Sequence, residues 1–164
     1  MELREMMNEY AVEIGAELYS KEEALTRLIE LQKESGAIRD TRSLRREIDE
    51  REQTGNTAVS CRIAIPDVIH RGAERTTITA ITVKDGIDYG APDRRPVNLL
   101  FMIAGKTADE AAMVKERLMR LLSDTGFTAR LNASKNKKEF LALLAEREKL
   151  RFPSALPHHK SRRG

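Results

Sequence analysis

The sequence predicts a three-layer α/β domain: a mixed central β-sheet with helices on both faces. Three observations carry that prediction. Stretches with helical apolar spacing alternate along the chain with short β-branched runs. Helix-capping signals stand where the helices should open. Residues 97–104 are apolar on both alternating faces, as a strand buried from both sides must be.

The first helix is expected over residues 20–35. Ser20 and Glu23 make a capping box, Leu25, Leu28 and Ile29 form the inward stripe, and Gly36 closes the helix. A second helix opens at Asp40 or Thr41. Leu44 and Ile48 share one face, and Arg51 continues it, so a charge ends an apolar stripe. Val59, Cys61, Ile63 and Ile65 then alternate with Ser60, Arg62 and Ala64, the two-residue period of a strand stopped by Pro66. This pattern sets Cys61 on the apolar face and Arg62 opposite it.

Residues 76–83 read as a β-branched strand ending at the turn signal Lys84-Asp85-Gly86. Beyond the buried run 97–104, Thr107 and Glu110 cap a helix whose inward stripe is Ala111, Val114, Leu118 and Leu121. Gly126 is expected to release a short strand over residues 127–131. Ser134 is expected to cap a last helix that turns Phe140, Leu141 and Leu144 inward and reaches about Glu148.

A chain of 164 residues buries one substantial core, so one domain is expected at 1–148, followed by a basic, flexible tail at 149–164. That tail holds five basic residues and no acidic one, leaving a net charge of −2 on the preceding residues. Nucleic-acid binding is therefore not expected: the domain is nearly neutral, and with 4% aromatics it offers no stacking platform. The chain opens without a leader pattern, and its longest apolar run is too short to span a bilayer. A single cysteine excludes an internal disulfide and a cysteine-built metal site. Together these features predict a cytoplasmic protein.

The generic catalytic motifs are absent: there is no Gly-rich phosphate loop, no G-x-S-x-G and no His-x-x-x-His. Other segments are distinctive. Ser20-Lys-Glu-Glu-Ala24, Arg51-Glu52, Ile63-Ala-Ile-Pro66 and Gly86-Ile-Asp-Tyr-Gly-Ala-Pro-Asp-Arg-Arg-Pro-Val97, leading into Leu99-Leu-Phe-Met-Ile-Ala104, occur in that order. Over about residues 8–148 the chain resembles the EIIA domains of the phosphotransferase system, of the fructose, mannitol and nitrogen-regulatory type.

The resemblance implies a domain that accepts a phosphoryl group from an HPr-like donor and passes it to an EIIB-like acceptor. It sets Asp67 at the position of the phosphorylated histidine and Ala111 at that of a second, assisting histidine. Arg51 keeps the family spacing of sixteen residues before that position. Thr57 falls in the phosphate loop, with Ala58, Ser60 and Arg62 where the family has glycines. An aspartate that accepts phosphate normally does so beside Mg²⁺ held by further acidic residues, and no acidic neighbour of Asp67 is closer than Glu74.

His70 is the alternative nucleophile, displaced by roughly 10 Å in an extended chain; otherwise it is a surface histidine without a partner. His158 and His159 do not make a metal pair, because adjacent residues point different ways and no third ligand is near. No metal or cofactor is expected. The preferred reading is a regulatory or protein-binding module that does not carry phosphate and recognises phosphotransferase proteins or a regulatory target. The alternative is a phosphocarrier that uses His70. Under the preferred reading Arg62 stands over Asp67, and Arg51 pairs with Asp67 in imitation of a phosphorylated site.

Overall fold

The computed structural model describes residues 2–153. Their six strands form one mixed sheet between two helical layers. In chain order the elements are β1 Val12–Ala16, α1 Lys21–Glu34, α2 Thr41–Thr54, β2 Ala58–Ser60, β3 Ile63–Ala64, β4 Asp67–Ile69, β5 Thr77–Ile87, β6 Val97–Gly105, α3 Ala108–Leu121, α4 Thr125–Asn132 and α5 Lys137–Arg151. The sheet order is β1-β5-β6-β3-β2, with β4 also paired to β6. β5 and β6 are antiparallel, whereas β3 and β4 run parallel to β6. No helix among the described residues is long and apolar enough to cross a membrane.

Alternation along β6 builds both cores. Leu99, Phe101 and Ile103 pack into a cluster with α3, α4 and α5, while Leu100, Met102 and Ala104 pack against α1 and α2. β3 and β4 keep one register on β6, with Ile63 opposite Leu99 and Asp67 opposite Ile103. They are thus a single extended run interrupted at Pro66, whose carbonyl still accepts the Ile103 N–H at 2.9 Å. Pro66 interrupts the strand without ending the pairing. That is what brings Asp67 to the sheet edge between the two helical layers.

The helices open as hydrogen-bonding chemistry requires. Ser20, Asp40, Thr107 and Asp124 each accept backbone N–H groups of their own first turn. The Ser43 and Arg42 N–H groups hold the Asp40 carboxyl below the usual carboxylate range, and those of Phe127 and Gly126 do the same for Asp124. A depressed folded-state pKa makes the stabilisation complete above the unfolded value of about 3.9, and lost as pH falls through the folded value. Asp40→Asn keeps the cap acceptor but does not titrate, so its stability should fall less steeply below about pH 4 in urea titrations. An acid limb identical to that of the parent would show that the Asp40 bonds do not contribute.

The chain departs from the sequence expectations at five places. Residues 59–65 are not one strand. Ser60 pairs with Ile63 across a two-residue turn, with Cys61 at φ +48° and Arg62 at φ +71°. Cys61 is exposed rather than on an apolar face. Turns of this mirror-image type favour Asn-Gly, which accept positive φ at little cost. Cys-Arg hides the turn behind an alternating pattern. Replacing Cys61 by Asn together with Arg62 by Gly should relieve about 1 kcal/mol of backbone strain, read as a higher urea midpoint. An unchanged or lower midpoint would show that the native pair is not strained.

β5 does not turn at Lys84-Asp85-Gly86 but continues to Ile87. A register shift between Thr82 and Ile87 is absorbed near Gly86 at φ +75°. Residues 127–131 belong to α4, in which Phe127 and Leu131 are buried four residues apart. Short apolar runs fit either period, and the Asp124 cap decides for the helix. Asn136, not Ser134, caps α5, which extends through Arg151. β1 is the remaining difference, a short strand beside β5 that periodicity did not mark. His158 and His159 lie outside the described residues.

Candidate functional site

Asp67 opens β4 with its side chain 21% exposed. Its Oδ1 lies 3.3 Å from Lys115 Nζ and 3.5 Å from Arg51 Nη2. Arg51 comes from the last turns of α2 and Lys115 from the middle of α3, so one carboxylate joins both helical layers at the sheet edge. The partners are 31% and 29% exposed, neither bulk-solvated nor sealed, which places each contact on the order of 1 kcal/mol. Arg51 is further steadied by donating from Nη1 to Thr54 Oγ1 at 3.1 Å. The structure therefore brings Arg51 and Asp67 together and adds Lys115. Lys115 could have been found from the sequence: it lies one helical turn beyond Ala111 on the same face of α3.

Ala111 is buried against Gly105 at the end of β6. A Cβ built on Gly105 would lie 2.6 Å from that of Ala111, so a bare backbone lets α3 close onto the sheet. His70 differs from the sequence expectation of a surface histidine without a partner. It is 4% exposed, and its Nδ1 lies 2.7 Å from Glu47 Oε1. The physical reason is alternation continued past β4: Val68 packs with the α1 and α2 cluster, and His70, two residues on, meets α2. Glu47 and Arg51, one turn apart, thus fasten α2 to the β4 segment, the first at His70 and the second at Asp67.

Thr57 is buried in a closed network rather than in an open loop. Its hydroxyl donates to Glu52 Oε2 at 2.6 Å and lies 2.8 Å from the Tyr89 hydroxyl. Glu52 Oε1 pairs with Lys21 at 2.7 Å, and that ammonium sits 4.5 Å from the centre of the Tyr89 ring. Burial pushes the Tyr89 phenol pKa up, against the Thr57 hydrogen bond that pulls it down. The network anchors the end of α2 from which Arg51 projects.

Ser60 and Arg62 are elsewhere. Arg62 Nε donates to the Pro96 carbonyl at 3.1 Å, and the Arg62 carbonyl accepts the Asn98 N–H at 3.0 Å. Asp67 pairs opposite Ile103, five residues further along β6, a separation of about 16 Å at strand rise. Arg62 therefore does not stand over Asp67, because the two-residue turn sends it to the start of β6. Among the described residues, no group of three or more His, Cys, Asp or Glu side chains is placed to hold a metal ion.

Comparison with known proteins assigns the family. Residues 5–147 match the family described as phosphoenolpyruvate-dependent sugar phosphotransferase system, EIIA 2. The chain belongs to that family. It is 28% identical over 129 residues to the PTS system fructose-specific EIIA component of Haloferax volcanii, covering 77% of this chain and 84% of that protein. It is 27% identical over 104 residues to the fructose-specific EIIABC component of Bacillus subtilis, covering 63% of this chain but only 16% of that protein. Among solved structures, nitrogen regulatory protein IIA-Ntr from Neisseria meningitidis superposes with a TM-score of 0.75 at 22% identity, over 85% of this chain and 97% of that one. IIA mannitol from Escherichia coli does so with a TM-score of 0.73 at 21% identity, over 84% and 97%. These likenesses support the α/β fold.

Proposed function

We propose that this chain is an EIIA-type regulatory or protein-binding module, acting in the cytoplasm, that recognises partners without carrying phosphate. The observation that supports the reading is the Asp67 carboxylate seated between Arg51 and Lys115. The resemblance puts the phosphorylated histidine at this position. A carboxylate there already supplies the anion that both cations need, so the site has no vacancy for a phosphoryl oxygen. Asp67 itself is a poor acceptor without a neighbouring acidic cluster to hold Mg²⁺.

The face beside Asp67 suits a protein partner. A shallow groove of about 490 Å³ along α3 is lined by Ala112, Lys115, Glu116, Met119 and Arg120, with Met119 44% exposed. Exposed methionine beside mixed charges is an adaptable contact surface. The partner class is an HPr-like donor, an EIIB-like acceptor or a regulatory target; a complex with phosphorylated IIB has been solved for the mannitol IIA of Escherichia coli.

One observation favours a second reading, a phosphocarrier using His70. Glu47 fixes the imidazole through Nδ1 and leaves Nε2 as the nucleophilic nitrogen. Incubation with phosphoenolpyruvate, enzyme I and HPr, followed by intact-mass measurement, tests both. The expected result is an unmodified chain. A stoichiometric phosphoryl adduct would overturn the first reading, and peptide mapping of that adduct to His70 would establish the second.

A further inference from the structure

A second cleft lies at the other end of β6 from Asp67, between the β2–β3 hairpin and the loop before β6. Its volume is about 120 Å³, and Val59, Ser60, Arg62, Pro92, Asp93 and Val97 are among its lining residues. That is room for about four waters, or one molecule of a few heavy atoms. The two charged groups on its wall each have one partner among the described residues. Arg62 donates Nε to the Pro96 carbonyl, and Asp93 Oδ1 accepts the Arg95 N–H at 3.0 Å.

The surrounding backbone makes room for the guanidinium. A Cβ on Gly86 would lie 3.0 Å from Pro96 Cβ and 3.4 Å from Arg62 Nη2. Arg62 is held here at positive φ, in a turn that glycine would occupy without strain, and a strained position that persists calls for a compensating use.

We propose that this cleft binds a small zwitterion of the α-amino-acid class, with its carboxylate on Arg62 and its ammonium on Asp93. A guanidinium alone would accept any small carboxylate or phosphate. A carboxylate on the same wall repels a plain anion and favours a ligand that brings its own cation. The volume limits the ligand to a small side chain, and half-buried Val59 gives that side chain an apolar contact. The cleft is separated from Asp67 by the six strand steps from Val97 to Ile103, about 20 Å, so the proposal stands whether or not the Asp67 site carries phosphate.

Titration of the ¹⁵N-labelled full chain with L-alanine tests it. Amide shifts should be confined to residues 58–63 and 91–97 and saturate at millimolar concentration. Acetate and methylamine, each carrying half of the zwitterion, should shift the same amides with affinities at least about tenfold weaker. Arg62→Gln and Asp93→Asn should each abolish the response to L-alanine while the remaining spectrum is unchanged, which shows that the variants fold. An L-alanine titration without localised shifts, equal binding of acetate, or full binding by Asp93→Asn would each overturn the proposal.

Discussion

Gly105→Ala is expected to destabilise the domain by about 3 kcal/mol, at the upper end of what overpacking usually costs. The new Cβ would meet Ala111 Cβ at 2.6 Å, Ala111 Cα at 3.1 Å and the Thr107 carbonyl at 3.2 Å. None of these atoms can rotate away. Relief requires α3 to move as a body, taking its Thr107 cap and Lys115 with it, while the Gly105 carbonyl must still accept the His70 N–H. Urea unfolding should show a lower midpoint at an unchanged slope. A loss below about 0.5 kcal/mol, typical of a surface change, would refute the close helix–strand packing. The same contact bears on position 111, where the resemblance puts an assisting histidine. Any larger side chain there branches from a Cβ already seated against Gly105.

The elements that periodicity and caps specify were legible in the sequence. α1, α2 and α3 open at Ser20, Asp40 and Thr107, and β6 carries the run apolar on both faces. What stayed hidden has a common cause: the deciding interaction is nonlocal or runs against local preference. The Cys61-Arg62 turn uses residues that avoid positive φ, so alternation across it imitated a strand and sent Arg62 to the wrong site. His70 looked solitary because its partner, Glu47, is 23 residues away in the chain. At the site, Arg51 was readable as a charge ending an apolar stripe, and Asp67 as the residue after Pro66. Lys115 carried only a partial signal, its place one turn beyond Ala111, because nothing local says that α3 crosses β4 there; the close approach of Ala111 to Gly105 belongs to that crossing.

The largest functional change is expected at Asp67. Asp67→Ala leaves Arg51 and Lys115 facing one another without an anion, at a cost of about 1.5 kcal/mol, moderated because both cations are partly solvated. Inorganic phosphate should raise the Tm of this variant more than that of the parent, because an anion bound only by the folded state stabilises it by mass action. Asp67→His takes the argument to chemistry. Two nearby cations disfavour the imidazolium and keep a ring nitrogen free to attack at neutral pH. The phosphoryl group gained brings nearly two negative charges to the guanidinium and ammonium that held the carboxylate. Arg62, which alternation had put in the way, is bound at the start of β6 and leaves the approach open. Phosphorylated HPr is therefore expected to modify Asp67→His but not the parent, slowly because Ala111 offers no assisting imidazole. Adding Lys115→Ala should slow the transfer further. If Asp67→His melts like the parent yet stays unmodified in the intact-mass assay, a nucleophile at position 67 is not sufficient, and the closed contact between Ala111 and Gly105 becomes the expected obstacle to transfer at this position.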